Sequence, residues 1–383
     1  MDKPTVQDVF HRFYPSYLDQ YSPSPVQAKA AHNIMNCKTG AYGANVSVCE
    51  DCGSVQIHYN SCRNRCCPMC QAISKEMWMD ARREDVLDAP YFHLVFTVPD
   101  TLNPVIYSNQ KLLYDALYHA ASATISELAA EPKHLGAKVG YICILHTWGS
   151  EMNFHPHIHT ILLGGGLTSD SQWKDKGENF FLPIQVISKV FRGKYLEELK
   201  KLWQEDQLVF HGTAKKFRNH YAFKKLLDSC YGTDWVPHCK KTFNGAQSVI
   251  KYLGKYTHRI AVSNHRIIRM DDDTVTFSVK DYRNEGQWKE LTISGVEFVR
   301  RFLMHVPPRR FVRIRHYGLL CSRTKNQKLT LCRNLLGCKK YLSNLRNMEM
   351  PEVLEHLYGI KVCVCKACGG HLGKPQMKIP LRC

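Results

Sequence analysis

The chain has 383 residues, enough for more than one domain, and its 44% hydrophobic and 22% charged content is ordinary for a globular protein. Its 52 basic residues against 34 acidic ones leave a net charge of +18, which points to a polyanionic partner, with nucleic acid ahead of a membrane surface. No apolar run approaches the ~18 residues of a membrane span, and Met1-Asp2-Lys3-Pro4 does not begin a signal peptide. A cytosolic protein is therefore expected, its 17 cysteines reduced and its close cysteine pairs zinc ligands rather than disulfides.

Val6, Phe10, Phe13, Tyr14 and Tyr17 recur at near-helical spacing, a lead-in packed by its aromatics. The densest cysteine cluster follows. Cys49-x2-Cys52 and Cys67-x2-Cys70 supply four thiolates for one tetrahedral zinc ion, and the interleaved His32, Cys37, Cys62 and Cys66 suit a second. A closed four-ligand site is structural, so residues 1–88 read as a helix plus a zinc-ribbon-like, non-catalytic module. Arg63 and Arg65 suit DNA phosphates, or form a solvated basic face.

Residues 74–87 predict a helix, 93–98 a strand, 112–128 a helix and 141–146 a strand. Next comes Phe154-His155-Pro156-His157-Ile158-His159, running on through Thr160 to Leu163, a strand expected to stop at Gly164, Gly165 and Gly166. Alternate strand residues share a face. His157 and His159 then lie roughly 6.6 Å apart at strand rise, and two such imidazoles can chelate one divalent cation. The plain alternative is a core strand that contains histidines. His155 would join them if the strand began early, but Pro156 cannot donate to a ladder. These elements predict an α+β domain over 89–295, an antiparallel or mixed sheet with covering helices and an insertion around 166–240.

Within that insertion, Lys215, Lys216, Arg218, Lys224 and Lys225 interleave with Phe217, Tyr221 and Phe223, a pattern for single-stranded nucleic acid or for a surface helix packed by its rings. Residues 246–256 look helical. There Tyr252 and Tyr256 share a face, one turn and roughly 6 Å apart, beside Lys255 and Arg259. Two aromatics packing in a core would give the same spacing. A hairpin is expected from Thr274 to Ile293. Residues 296–383 form a basic C-terminal region: 13 Lys or Arg and no acid lie between Arg300 and Arg346, with Arg309, Arg310, Arg313 and Arg315 as candidate phosphate contacts. The tail knuckle of Cys363, Cys365 and Cys368 binds zinc only if other ligands complete it.

Taken together, the cysteine set, His157-Ile158-His159 and Tyr252-x3-Tyr256 resemble the rolling-circle transposases of the insertion-sequence "ninety-one" group. These are HUH (His-hydrophobic-His) single-strand endonucleases. The resemblance runs nearly end to end, through Cys62-Arg63-Asn64-Arg65, Tyr252-Leu253-Gly254-Lys255-Tyr256-Thr257-His258-Arg259, Lys280-Asp281-Tyr282-Arg283 and Arg313-Ile314-Arg315-His316-Tyr317-Gly318. The family usually has histidine where this chain has Cys66. The resemblance implies Mg2+ or Mn2+ at His157 and His159, with Gln247 the leading third ligand ahead of His155 and His258. It implies Tyr252 and then Tyr256 as nucleophiles, Lys255 favouring the phenolate, and a 5′-phosphotyrosine intermediate. Single-stranded DNA and the hairpin ends of a mobile element are the implied partners, and the bacterial nucleoid the implied location. A replication initiator or relaxase with the same chemistry, or a zinc-dependent DNA-binding protein without cleavage, remain the alternatives.

Overall fold

The computed structural model describes residues 3–177, 182–235, 238–242, 249, 254, 260–281, 286–373 and 377–379. In chain order, helices α1 (Val6–Gln20) and α2 (Pro25–Met35) lead into the hairpin β1 (Ala44–Val48) and β2 (Val55–Tyr59) and then α3 (Gln71–Arg83). Strand β3 (Tyr91–Thr97), α4 (Asn103–Ser108), α5 (Gln110–Ala130), β4 (Lys138–Trp148), β5 (Phe154–Leu167) and β6 (Trp173–Asp175) follow. Next are α6 (Ile184–Gln204), α7 (His220–Gly232), β7 (His238–Thr242), β8 (Ile267–Met270), β9 (Thr274–Asp281) and β10 (Gln287–Ser294). The chain continues through a helix at Gly295–Met304, β11 (Ile314–Gly318), helices at Lys325–Leu336 and Met350–Tyr358, and β12 (Met377–Ile379).

The central sheet has the order β11-β4-β5-β3-β7, with β6 added to β5, and every pairing is antiparallel. The two-residue side-chain period divides its residues between two layers. Phe92, Leu94, Phe96, Tyr141, Cys143, Leu145, Ile158 and Leu162 pack under α5 and α6. Tyr91, Ile142, Ile144, Ile161 and Leu163 face the other way, against Met79 of α3 and Leu329 and Cys332. A separate core joins α1, α2 and helix Gly295–Met304 to the small sheet β10-β9-β8, through Phe10, Phe13, Phe277, Phe298 and Phe302. Helix α1 starts cleanly because Thr5 and Asp8 form a reciprocal capping box.

The structure corrects three expectations. First, β5 does not stop at its glycines but continues to Leu167, paired with β6 at Gly165 and Gly166. A Cβ on Gly164 would lie 2.9 Å from both the Phe92 ring and the Pro90 carbonyl, so the glycine serves close backbone approach rather than chain reversal. Second, β5 begins at Phe154 despite Pro156. The ladder to β4 is irregular between His146 and Trp148, and a proline without an N–H is tolerated at such a break. Third, residues 296–383 do not stand apart. Strand β11 pairs with β4 in the central sheet, and β12 pairs with β1.

The acid-free basic stretch also finds its counter-charges elsewhere in the chain. Lys325 meets Asp85, Lys340 and Arg346 meet Glu84, and Arg315 meets Asp115.

Candidate metal centre

Alternation along β5 puts His157 and His159 on one face, and the hairpin register sets His146 of β4 directly opposite His157. The ligand nitrogens of these three buried imidazoles lie within 4.8 Å of one another. The Nε2 atoms of His157 and His159 are 3.1 Å apart. The Nδ1–H of His157 donates to the His155 carbonyl at 2.7 Å, which leaves Nε2 bearing its lone pair. Nδ1 of His159 lies 2.9 Å from Nε2 of His93 on β3, so when Nε2 of His159 is bare its Nδ1–H donates to His93. His146 stacks on Trp148, with ring centroids 4.5 Å apart, and the Arg313 guanidinium lies 5.7 Å from that indole.

Burial keeps His157 and His159 neutral. Desolvation, reinforced by the neighbouring imidazole of His155, pushes His157 down to about 4. Burial first, then His146 and His157, hold His159 well below the usual histidine range. Neutral imidazoles with converging lone pairs fit a divalent cation. His155 stays outside the cluster, its Nδ1 3.2 Å from Asp100. His146 was not anticipated from the sequence; its signal is the register of two adjacent strands that both carry histidine close to the turn joining them.

Gln247, Tyr252, Lys255, Tyr256, His258 and Arg259 lie outside the described residues. Two residues of the same segment are described, and both are helical: Val249 and Gly254. Val249 is buried in the apolar cluster on the histidine-bearing face of the sheet, with Ile144, Ile161 and Met79. Gly254 abuts Met79 and Lys75 of α3 so closely that a Cβ there would overlap the Met79 sulfur.

The cysteines gather in a different pairing from the one expected. Cys67 and Cys70 meet Cys37 and Cys62, while Cys49 and Cys52 meet Cys365 and Cys368. In each set the four sulfurs lie within 4.8 Å. The reason is topological: β1 and β2 carry the Cys49 turn away from the Cys62–Cys70 loop and toward the tail. Neither His32 nor Cys66 enters a cluster among the described residues. His32 Nδ1 is 3.3 Å from the Asn36 amide, and burial pushes the Cys66 thiol up to about 11.

The candidate phosphate contacts separate. Arg63, Arg309 and Arg310 are exposed. Arg65 donates to the Pro308 carbonyl at 2.9 Å and also to that of Phe311. Arg315 is bound to Asp115 and lies 4.0 Å over the Tyr118 ring. Arg65, also exposed, thus ties its loop to the turn at residues 308–311, and Arg315 on β11 ties that strand to a ring and an acid of α5. In the 215–225 stretch, Phe217 and Phe223 are core residues, while Tyr221 is exposed. Among the described residues no helix is long and apolar enough to cross a membrane.

Two family models match the chain: "Transposase zinc-binding domain" over residues 9–98 and "Putative transposase" over residues 140–328. A curated relative from Sinorhizobium fredii, y4qJ, carries the latter description and is 39% identical over 95% of this chain and 93% of its own length. The transposase for insertion sequence element IS801 of Pseudomonas savastanoi pv. phaseolicola is 28% identical over 82% of this chain and 74% of its own length. Among solved structures, the metal-bound conjugative relaxase TrwC in complex with oriT DNA is similar over 44% of this chain and 70% of that one, at 15% identity and a TM-score of 0.25. With relatedness to y4qJ across nearly all of both chains and a transposase zinc-binding domain at its start, this chain belongs to the IS91 family of rolling-circle transposases.

Proposed function

We propose that the protein nicks and rejoins single-stranded DNA at the ends of a mobile element through a 5′-phosphotyrosine intermediate. One observation carries this reading. Three buried imidazoles converge on the sheet face against which Val249, from the tyrosine-bearing segment, is packed. His146, His157 and His159 would hold the cation. Three nitrogen donors without a carboxylate among them suit a first-row transition ion, so Mn2+ is preferred to Mg2+. When bound, the ion polarises a DNA phosphate and offsets the charge that develops on it.

Tyr252 supplies the first nucleophile. A phenol ionises near ~10, and Lys255 favours the phenolate. The phenolate oxygen bonds to phosphorus, and the bond from phosphorus to the 3′ oxygen breaks. That oxygen leaves with the electron pair and takes up a proton, giving a free 3′-OH. The phosphoester is retained on the protein, so the break can be rejoined without ATP. Tyr256 captures a second strand while the first is still attached. Exposed Arg63, Arg309 and Arg310 hold the phosphates of hairpin ends, and the protein works on DNA in the bacterial cytoplasm.

The test is incubation with labelled single-stranded element-end DNA and Mn2+. The expected product is a covalent adduct that is absent from the Tyr252→Phe/Tyr256→Phe double variant. Equal adduct from that variant rejects these nucleophiles. No adduct from the unaltered protein leaves a zinc-dependent DNA-binding protein without cleavage.

A further inference from the structure

Cys365 and Cys368 fall outside both matched regions, yet their sulfurs reach a turn more than three hundred residues earlier. Cys49 Sγ lies 3.6 Å from Cys368 Sγ, and Cys52 Sγ lies 3.8 Å from Cys365 Sγ. Four thiolates ~2.3 Å from one zinc ion stand about 3.8 Å apart at the corners of a tetrahedron.

The two turns have the same backbone. The Cys49 N–H donates to the Ser54 carbonyl at 2.9 Å, and the Gly53 N–H donates back to the Cys49 carbonyl at 3.0 Å. The Cys365 N–H donates to the Gly370 carbonyl at 2.8 Å, and the Gly369 N–H to the Cys365 carbonyl at 2.9 Å. Gly53 and Gly369, each just after the second cysteine, take left-handed φ values of 69° and 77°. The N–H groups of Ala367 and Gly370 donate to the sulfurs of Cys365 and Cys368 at 3.4 Å, bonds that strengthen when the sulfurs are thiolates. Around these turns β12 pairs with β1, and Cys49 bridges to Leu372. The Asp51 carboxylate accepts from the His371 N–H at 3.2 Å. Among the described residues the apolar core here is Cys49, Cys365 and Leu372, too little to hold two chain segments together without a further tie.

We propose that Cys49, Cys52, Cys365 and Cys368 bind a second structural zinc ion, which builds one zinc ribbon from two distant parts of the chain. It clasps the C-terminal segment onto the N-terminal module. The first zinc belongs to Cys37, Cys62, Cys67 and Cys70. This site does not depend on the nicking chemistry.

The experiment measures zinc in the full chain by mass spectrometry under non-denaturing conditions and by elemental analysis. In the His157→Ala/His159→Ala background, used for every zinc count so that the imidazole cluster takes none, two ions per chain are expected. The Cys365→Ser/Cys368→Ser variant should hold one, the Cys49→Ser/Cys52→Ser variant one, and the fourfold variant still one. Two ions retained in the tail variant, or none in the fourfold variant with its fold intact, overturn the proposal. Should the variants misfold, Co2+ titration of the unaltered apo-protein decides: tetrathiolate charge-transfer absorption is expected to saturate at two equivalents, and saturation at one overturns the clasp.

Discussion

His93→Leu tests whether the imidazole cluster is built to receive a cation. His93 meets the site at Nδ1 of His159, at 2.9 Å, with the two rings nearly parallel at 12°. Both residues are buried on adjacent strands, so water cannot readily replace the missing acceptor. Removal of such an outer partner lowers metal affinity about 10- to 100-fold. That corresponds to roughly 1.4–2.7 kcal/mol, and it agrees with the ~1–3 kcal/mol cost of an unsatisfied buried N–H. Leucine fills similar space, so packing changes little. His93→Gln offers a carbonyl oxygen to the same N–H and should recover most of the affinity. Calorimetric titration with Mn2+ measures both variants, with thermal melts as the control for folding. Leucine binding within about twofold of the parent, or glutamine no better than leucine, would refute the reasoning.

Other parts of the fold are open to the same kind of test. His305 is buried between the Thr147 hydroxyl at 3.1 Å and the Met152 carbonyl at 3.0 Å, and desolvation brings it down to about 4. Below the ordinary histidine value the unfolded chain takes up a proton that the folded one refuses, so stability falls as pH drops from about 6.5 toward 4, by roughly 2 kcal/mol at pH 5; urea unfolding of His305→Gln should lose that share of the pH dependence, and an unchanged slope contradicts the assignment. Gly254→Ala forces Met79 to move and should cost ~1–3 kcal/mol while slowing nicking, with Met79→Ala restoring both; an alanine variant as stable and active as the parent counts against the close packing. Removing exposed Arg309 and Arg310 should weaken single-strand binding and flatten its salt dependence by about 0.7 in slope for each phosphate no longer neutralised, whereas Arg315→Ala, which breaks the Asp115 pair, should mainly lower the melting temperature; the reverse pattern in binding titrations and melts would contradict this division of roles.

Much of the central sheet could be read along the chain, because side-chain alternation and helical spacing are local. His157 and His159 needed only the two-residue period of β5. What escaped depends on residues that meet across the fold. His146 becomes a third imidazole only through the β4–β5 register, which the sequence leaves open by a residue or two. The cysteine types were legible, but their partition was not, since Cys365 and Cys368 return to β1 from the far end of the chain. The acid-free basic stretch reads as one continuous DNA surface because Glu84, Asp85 and Asp115 precede the basic residues they pair with by two hundred residues or more. The glycines at the end of β5 read as a stop because a sequence does not show how closely the Phe92 ring and the Pro90 carbonyl approach.

A cation shared by His146, His157 and His159 is central to the proposed chemistry. Pulsed electron paramagnetic resonance of Mn2+ bound to protein carrying 15N-labelled histidine reports directly on coordinated imidazole nitrogens. Couplings from three histidines, falling to two in His146→Ala, are the predicted result. Mn2+ that shows no histidine coupling, or the same couplings in His146→Ala as in the parent, would contradict it.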